Sequence, residues 1–173
     1  MHIRIRTIIA AGTVAGLLLV GTPAFADQRA LQADPNDTPG RLDMNGIGMI
    51  FKNSGALLVG VRTFDSWRDG LLASDRDNRV LFYFNVDSDR RTDYIGRISM
   101  VDGALQMAIT GGRRALEPLP VSHDAGTIRV KIPANSPLSR AGVDFYAKTR
   151  LKGSGSCART CVDRAPDRSA LRF

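Results

Sequence analysis

Hydrophobic and polar positions along the chain alternate in short runs, a pattern that is typical of β-strands. The clearest run spans residues 127–132, where Ile128, Val130 and Ile132 alternate strictly with polar residues. This alternation predicts a strand with one face in the core and the other in water. The apolar and aromatic run VLFYFNV, at residues 80–86, is too short for an ordinary helix and predicts a buried central strand.

Turn-forming residues divide the rest of the chain into further short segments. Strands are predicted at residues 42–52, 56–64, 94–101, 104–110, 114–121 and 142–151, and short helical turns at residues 65–72 and 135–141. The dipeptide Asp102-Gly103 is a strong hairpin signal, and two glycines in the first of these strands predict an irregularity there.

Three other segments differ from this regular pattern. Pro118 and Pro120 predict that residues 114–121 form an edge strand, because proline cannot donate a backbone hydrogen bond. The turn-rich residues 27–40 and the polar tail after residue 151 are predicted to contain no regular element.

Eight or so short strands with almost no helical periodicity predict an all-β protein, an antiparallel β-sandwich, with a closed barrel as the alternative.

The first 26 residues have the pattern of a signal peptide. Two positive charges, Arg4 and Arg6, precede an apolar stretch, and Ala24-Phe25-Ala26 forms a small-x-small cleavage site. The apolar stretch is shorter than the ~20 residues that span a bilayer, and no cysteine follows the cleavage site, so no membrane anchor is predicted. Residues 27–173 are therefore predicted to be a single secreted, extracellular domain, released as a monomer.

The net charge and the positions of the arginines indicate which classes of partner the chain can bind. Cleavage lowers the net charge from +7 to +5, because Arg4 and Arg6 leave without any acidic residue. The remaining arginines are scattered, with short doublets at residues 90–91 and 113–114, whereas a nucleic-acid binder usually has a dense basic stripe with stacking aromatics. We therefore predict no nucleic-acid partner, and an attraction to an anionic cell wall or acidic glycan.

Cys157 and Cys161 are the two cysteines, and in an exported chain their C-x3-C spacing predicts a disulfide. A loop this small removes about 2 kcal/mol of unfolded-state entropy, so the bond would act as a local clip on the tail. A redox pair would normally be C-x-x-C at the start of a helix. A zinc site would need further soft ligands, and His123 is the single histidine of the mature chain.

An acidic loop follows the predicted central strand directly. Asp87, Asp89 and Asp93 occupy positions one, three and seven of this loop, a spacing that can direct several oxygens at one hard cation such as calcium. Arg90 and Arg91 lie inside the same loop, which lacks the expected glycine. The alternative is therefore that these arginines neutralise the acids without a metal.

Catalytic chemistry has little support in the sequence. The mature chain has sixteen aspartates and one glutamate, and no spacing selects a glycosidase pair among them. Ser122, His123 and Asp124 are adjacent, so on an extended chain they cannot form a triad, and His123 is predicted to be a solvent-exposed turn residue. Trp67, the only tryptophan, is either a sugar-stacking platform or a core residue.

Several short motifs, taken in order, resemble those of a known group. They are DPNDTPGRLD at residues 34–43, a tryptophan-bearing segment at 64–67, VLFYFNVDSDRRTDY at 80–94, and the C-x3-C motif followed by DRAPD at 163–167. This order resembles a group of uncharacterised secreted actinobacterial proteins, which are similar to β-sandwich modules of the DOMON and family-nine carbohydrate-binding type.

The resemblance implies a jelly-roll-like sandwich without catalytic residues. It also implies an acidic metal loop closed by Asp-Tyr, whose matching positions are Asp87, Asp89, Asp93 and Tyr94. The chain departs from that loop at its two arginines and its missing glycine.

These observations predict a secreted, non-catalytic binding module, stabilised by calcium, that recognises a glycan or the cell envelope through Trp67 and Tyr94. One alternative is a protein-interaction or inhibitor module that presents residues 153–161 as a rigid loop. The other is a small secreted hydrolase that uses His123 with distant partners, or two aspartates.

Overall fold

The computed structural model describes residues 27–73, 77–87, 89, 91–112, 116–140, 142–154, 157–167 and 169–172. The predicted signal peptide, residues 1–26, lies outside these ranges. Within them, no helix is long and apolar enough to cross a membrane.

The described chain is all-β, and its strands are antiparallel, as the sequence predicts. The strands are β1 (Gln28–Ala33), β2 (Met44–Phe51), β3 (Leu57–Thr63), β4 (Arg79–Asn85), β5 (Tyr94–Val101), β6 (Ala104–Gly111), β7 (Leu116–Asp124), β8 (Thr127–Ile132), β9 (Asp144–Ser154) and β10 (Cys157–Ala165). One short 3-10 helix, Asp69–Leu72, lies between β3 and β4. The strands form one sheet, in the order β1-β2-β3-β8-β7-β6-β5-β4-β9-β10, which curls into a half-barrel.

Strand β7 connects the two halves of the curled sheet. Its first part pairs with β6, through Leu116, Leu119 and Pro120, and its last four residues pair with β8. Each part of β7 therefore has a described partner on one side only. The prediction of an edge strand at residues 114–121 is therefore wrong, because β7 lies in the middle of the sheet order. The sheet accommodates its two prolines because Pro118 and Pro120 precede the part of β7 that pairs with β8.

The core fills the inner face of the curl. Phe82 and Phe84 of β4 are fully buried, and the Phe145 ring of β9 lies 5.3 Å and 5.4 Å from their ring centroids. A strand at these residues is thus confirmed, and it is fully buried on one face only, since Leu81 and Tyr83 are half-buried. Strand β8 also alternates between buried and exposed residues as predicted, and Asp102-Gly103 forms the turn between β5 and β6.

Besides the edge position of β7, three sequence predictions about regular elements are wrong. Residues 28–33 form β1, an edge strand, and residues 157–165 form β10, the opposite edge strand. Both were predicted to be irregular, because an exposed edge strand pairs on one side and does not need a hydrophobic face. The described residues from 135 to 140 form turns rather than a helix.

The predicted disulfide joins Cys157 and Cys161, whose Cα atoms are 5.9 Å apart. It spans a register shift in the pairing of β10 with β9, which lies between Cys157 and Thr160. Cys157 is buried in the core. The bond therefore holds an irregular part of an edge strand in a defined shape, rather than a loose tail.

Gly111, at the end of β6, provides a first prediction. Its φ of 117° disfavours other residues, and a Cβ atom there would lie 2.1 Å from the backbone oxygen of Asp93. Gly103 also has a positive φ, 80°, but a Cβ atom there would meet nothing within 4 Å. We expect Gly111→Ala to reduce the unfolding free energy by about 2 kcal/mol more than Gly103→Ala. Urea unfolding of the two variants measures the difference, and equal losses would contradict the close backbone approach.

Candidate metal centre

Acidic residues from the two ends of the chain meet at one place in the fold. The loop between β1 and β2, residues 34–43, lies against the end of β10. The backbone amide of Met44 donates to Oδ2 of Asp163 over 2.6 Å, although the two residues are 119 positions apart. The hydroxyl of Thr149 donates to the carbonyl of Leu42 over 2.6 Å. These bonds hold the loop on strands β9 and β10.

Local sequence shapes this loop. Two prolines and Gly40 disfavour regular structure, and the amide of Asp43 donates to the carbonyl of Gly40 over 3.1 Å. Gly40 has a φ of 121°, and a Cβ atom there would lie 2.4 Å from Leu151 and 3.7 Å from Cys157. The loop can therefore approach β9 and the disulfide closely because residue 40 has no side chain.

Three carboxylates of this region converge. One oxygen from each of Asp37, Asp43 and Asp163 lies within 4.8 Å of the other two. Oxygens that bind one calcium ion at 2.3–2.6 Å can be no more than about 5 Å apart, so these three satisfy the geometry of a shared cation. Asp43 and Asp163 are each 3% exposed, whereas Asp37 is exposed and leaves a path to solvent.

A fourth carboxyl, that of Asp34, is buried beside the triad. Asp34 is 6% exposed, and its Oδ2 has no hydrogen-bond partner. Burial, and then the negative charges of Asp163 and Asp167, raise the pKa of Asp34 to about 7. A buried carboxylate oxygen without a donor is costly, so this atom favours a ligand that the protein itself does not supply.

The pKa values of two members of the triad, Asp43 and Asp163, are also raised. Burial raises the pKa of Asp163 to about 6, although the backbone amides of Met44 and Arg164 act in the opposite direction. Burial also raises the pKa of Asp43, which shares a hydrogen bond with Asp163. No ion pair within the described ranges joins any of these acids to a lysine or arginine. The folded group therefore binds protons, or a cation in their place, more readily than these acids do in water.

The predicted calcium loop has a different arrangement. Oδ2 of Asp93 accepts from the amide of Val86 over 2.7 Å, and Oδ1 of Asp89 accepts from the amide of Arg91 over 2.7 Å. Oδ1 of Asp87 accepts from the amide of Asp89 over 3.2 Å. These are the turn-stabilising bonds that aspartates commonly make, and the three carboxylates do not converge as the triad does.

The alternative that arginines neutralise this loop is open in part. Arg90 lies outside the described residues. Arg140 lies near the start of the loop, where its guanidinium donates to the backbone carbonyl of Val86. Calcium at residues 87–93 therefore stays a prediction, and the structure offers a second acidic group for the same ion.

The two predicted ligand-binding aromatics lie in packed positions. Trp67 is 5% exposed and belongs to the core, as the alternative interpretation proposed, so its ring is not an open sugar platform. Tyr94 begins β5 and is half-buried, and its ring packs so closely over Gly112 that a Cβ atom there would lie 2.5 Å from its hydroxyl oxygen. Neither residue lies in the acidic group.

His123 is not the solvent-exposed turn residue that was predicted. Its ring is buried and stacks on Trp67, with ring centroids 3.9 Å apart. Nδ1 contacts Oδ1 of Asp69 over 2.5 Å, and the amide of Gly126 donates to Nε2 over 3.2 Å. Both ring nitrogens therefore have partners within the fold.

Two other surfaces bear on ligand binding. Residues 153–154 and 157–161, from the segment predicted to be an interaction loop, belong to strands β9 and β10, and residues 155–156 lie outside the described ranges. An apolar groove of about 380 Å³ lies over β1, β2, β3 and β8. No aromatic side chain is among the residues that line it, so it lacks a stacking surface for a sugar.

Sequence reasoning missed the acidic group, although it selected both motifs that form it. Asp34, Asp37 and Asp43 belong to DPNDTPGRLD, and Asp163 begins DRAPD. The available signal was a pair of acidic, proline-containing turns at opposite ends of the chain. No family model, curated protein or solved structure matches this chain.

Proposed function

We propose that the protein is an exported, non-catalytic binding module whose fold is stabilised by a calcium ion bound at Asp37, Asp43 and Asp163, next to the buried Asp34. The observation that carries this proposal is the convergence of three carboxylates beside a buried fourth, without a compensating lysine or arginine among the described residues. Calcium accepts several carboxylate oxygens in flexible geometry, which suits such a group. The jelly-roll-like sandwich and the glycan or cell-envelope ligand belong to the same proposal.

The burial of the carboxyls supports a stabilising role over a catalytic one. Perturbed carboxyl pKa values also occur in hydrolase active sites, where one acid stays protonated while its partner is ionised. Here Asp34, Asp43 and Asp163 are 6%, 3% and 3% exposed, which leaves little of their surface open to an organic substrate. A single ion needs less space and can enter past the exposed Asp37.

Thermal unfolding with calcium and with chelator at pH 7.5 tests the proposal. If calcium binds only the folded state, a concentration 100 times the Kd should add about 2.7 kcal/mol and raise the Tm by several degrees. The substitution Asp163→Asn should abolish this shift, while its amide oxygen can still accept from the Met44 backbone. In chelator, the same variant should be at least as stable as wild type, because a buried charge is removed.

Two control variants locate the ion. Asp102→Asn, in the exposed turn between β5 and β6, removes an equal charge and should leave the calcium shift unchanged. Asp89→Ala should also leave it unchanged. A shift that survives in Asp163→Asn but disappears in Asp89→Ala would place the ion in the loop at residues 87–93. No shift in wild type would contradict calcium stabilisation.

A further inference from the structure

Strands β4, β5, β9 and β10 have five basic side chains on their outer face. The residues are Arg79, Arg97, Lys148, Arg150 and Arg164, which we call the cationic face. Along each strand they alternate with buried neighbours such as Val80, Ile98, Ala147, Thr149 and Asp163. Their side chains therefore extend away from the core.

The strand register places like charges opposite one another on this face. Arg79 is directly opposite Arg150, and Lys148 is directly opposite Arg164. Like charges in such cross-strand positions destabilise a sheet unless something compensates them. Within the described ranges, no ion pair involves Lys148, Arg150 or Arg164.

Acidic residues at the borders of the face are already paired. Asp144, at one end of β9, forms an ion pair with Arg172, and Asp77 forms one with Lys152 at the other end.

Two tyrosines contact two of the basic side chains, those of Lys148 and Arg164. Tyr83 and Tyr146 stack in parallel, with ring centroids 4.5 Å apart, and Nζ of Lys148 lies 5.4 Å and 5.9 Å from these centroids. The guanidinium of Arg164 lies 4.7 Å from the Tyr146 ring. Cation–π contacts of this kind restrict long side chains before any ligand binds. They also occupy ring faces on which a nucleobase would otherwise stack.

From this arrangement we propose that the cationic face binds an acidic polysaccharide, a glycan chain with a carboxylate or phosphate on its repeating unit. The inference rests on the proposed binding-module function and names its ligand class. Neighbouring strands are about 4.8 Å apart and alternate residues along a strand about 7 Å apart, so the charges repeat in two directions. A repeating charge suits a polyanion, and the hydroxyls of Tyr146 and Thr92, 3.4 Å apart, can bond sugar hydroxyls.

A pair of matched double variants tests the surface. Lys148→Gln/Arg150→Gln neutralises two alternate positions of β9, and Arg129→Gln/Lys131→Gln neutralises two alternate, exposed positions of β8. The net charge changes equally in both. Titration of each protein with polygalacturonate, poly(glycerol phosphate) and neutral dextran gives the affinities, and circular dichroism confirms that each variant is folded.

We expect wild type to bind an acidic polymer with an affinity that falls as salt rises. The β9 variant should bind at least about tenfold more weakly, and the β8 variant within about twofold of wild type. Preference for polygalacturonate would identify carboxylate as the recognised group, and preference for poly(glycerol phosphate) would identify phosphate.

Other outcomes would overturn the inference. Equal weakening in the two variants would mean that net charge alone drives binding. Tighter binding to single-stranded DNA or to phosphatidylglycerol vesicles would replace the glycan with a nucleic acid or a membrane. Binding to dextran that neither variant changes would keep the binding module but reject this face, whereas no binding to any polymer would contradict both proposals.

Discussion

Between pH 4.5 and pH 7.5, the calcium-free protein should lose about 4 kcal/mol of unfolding free energy. The folded chain retains protons on Asp34 and Asp163, whose pKa values are raised to about 7 and about 6, mainly by burial. In the unfolded chain the same carboxyls lose their protons near pH 4. The folded state therefore binds more protons in this window, and raising the pH favours unfolding. Urea unfolding at several pH values measures the slope.

Two comparisons test the origin of this slope. Asp34→Asn should flatten most of it, because the substitution removes the carboxyl with the larger shift. Calcium should oppose it, since the ion binds the carboxylate form and stabilises more as the pH rises. The pKa of Asp27 is lowered, mainly by its hydrogen bond with Lys52, so its effect on stability changes at lower pH and does not affect the comparison. Stability that is constant or rises across the window would contradict the uncompensated acidic group.

Phe145→Ala should lower the unfolding free energy by about 4 kcal/mol. The Phe145 ring is fully buried between Phe82 and Phe84, and the residue's backbone pairs with Leu171 near the end of the chain. Removing the ring opens a cavity where β4 and β9 pack together, and close-packed aromatic neighbours can refill it only in part. Urea unfolding followed by the fluorescence of the buried Trp67 measures the loss.

Phe64→Ala is the matched control, because it removes the same ring from a position that is 40% exposed. We expect a loss below about 1 kcal/mol there. The m value should be the same in both variants if each still unfolds in one step. Similar losses at positions 64 and 145 would contradict the described core.

Local hydrophobic patterns in the sequence were sufficient to predict the strands that contribute to the core. The alternation in residues 127–132 and the aromatic run at 80–86 are visible in the sequence because burial determines which residue types they contain. The edge strands β1 and β10 have no such pattern, since five of the six residues of β1 are exposed and β10 has buried residues only at Cys157, Asp163 and Ala165. The prolines of β7 led to the wrong prediction of an edge strand, because the sequence does not show that its two parts pair with different neighbours.

The candidate site could also be predicted only where its residues are close together in the sequence. The spacing of Asp87, Asp89 and Asp93 is local and therefore visible, yet these carboxylates accept hydrogen bonds from the backbone of their own turn. The converging group combines Asp43 with Asp163, and only the strand order reveals that they are neighbours. Sequence spacing can propose a metal loop, but it cannot detect ligands that come from opposite ends of a sheet.

The contact between Met44 and Asp163 also has a kinetic consequence. It joins an early strand to the last one, so the acidic group is completed only after β10 has joined the sheet. Until then its carboxyls are in water and do not repel one another at close range. A cation bound there would enter a nearly finished fold, and it would slow the detachment of β10 without accelerating the pairing of the earlier strands.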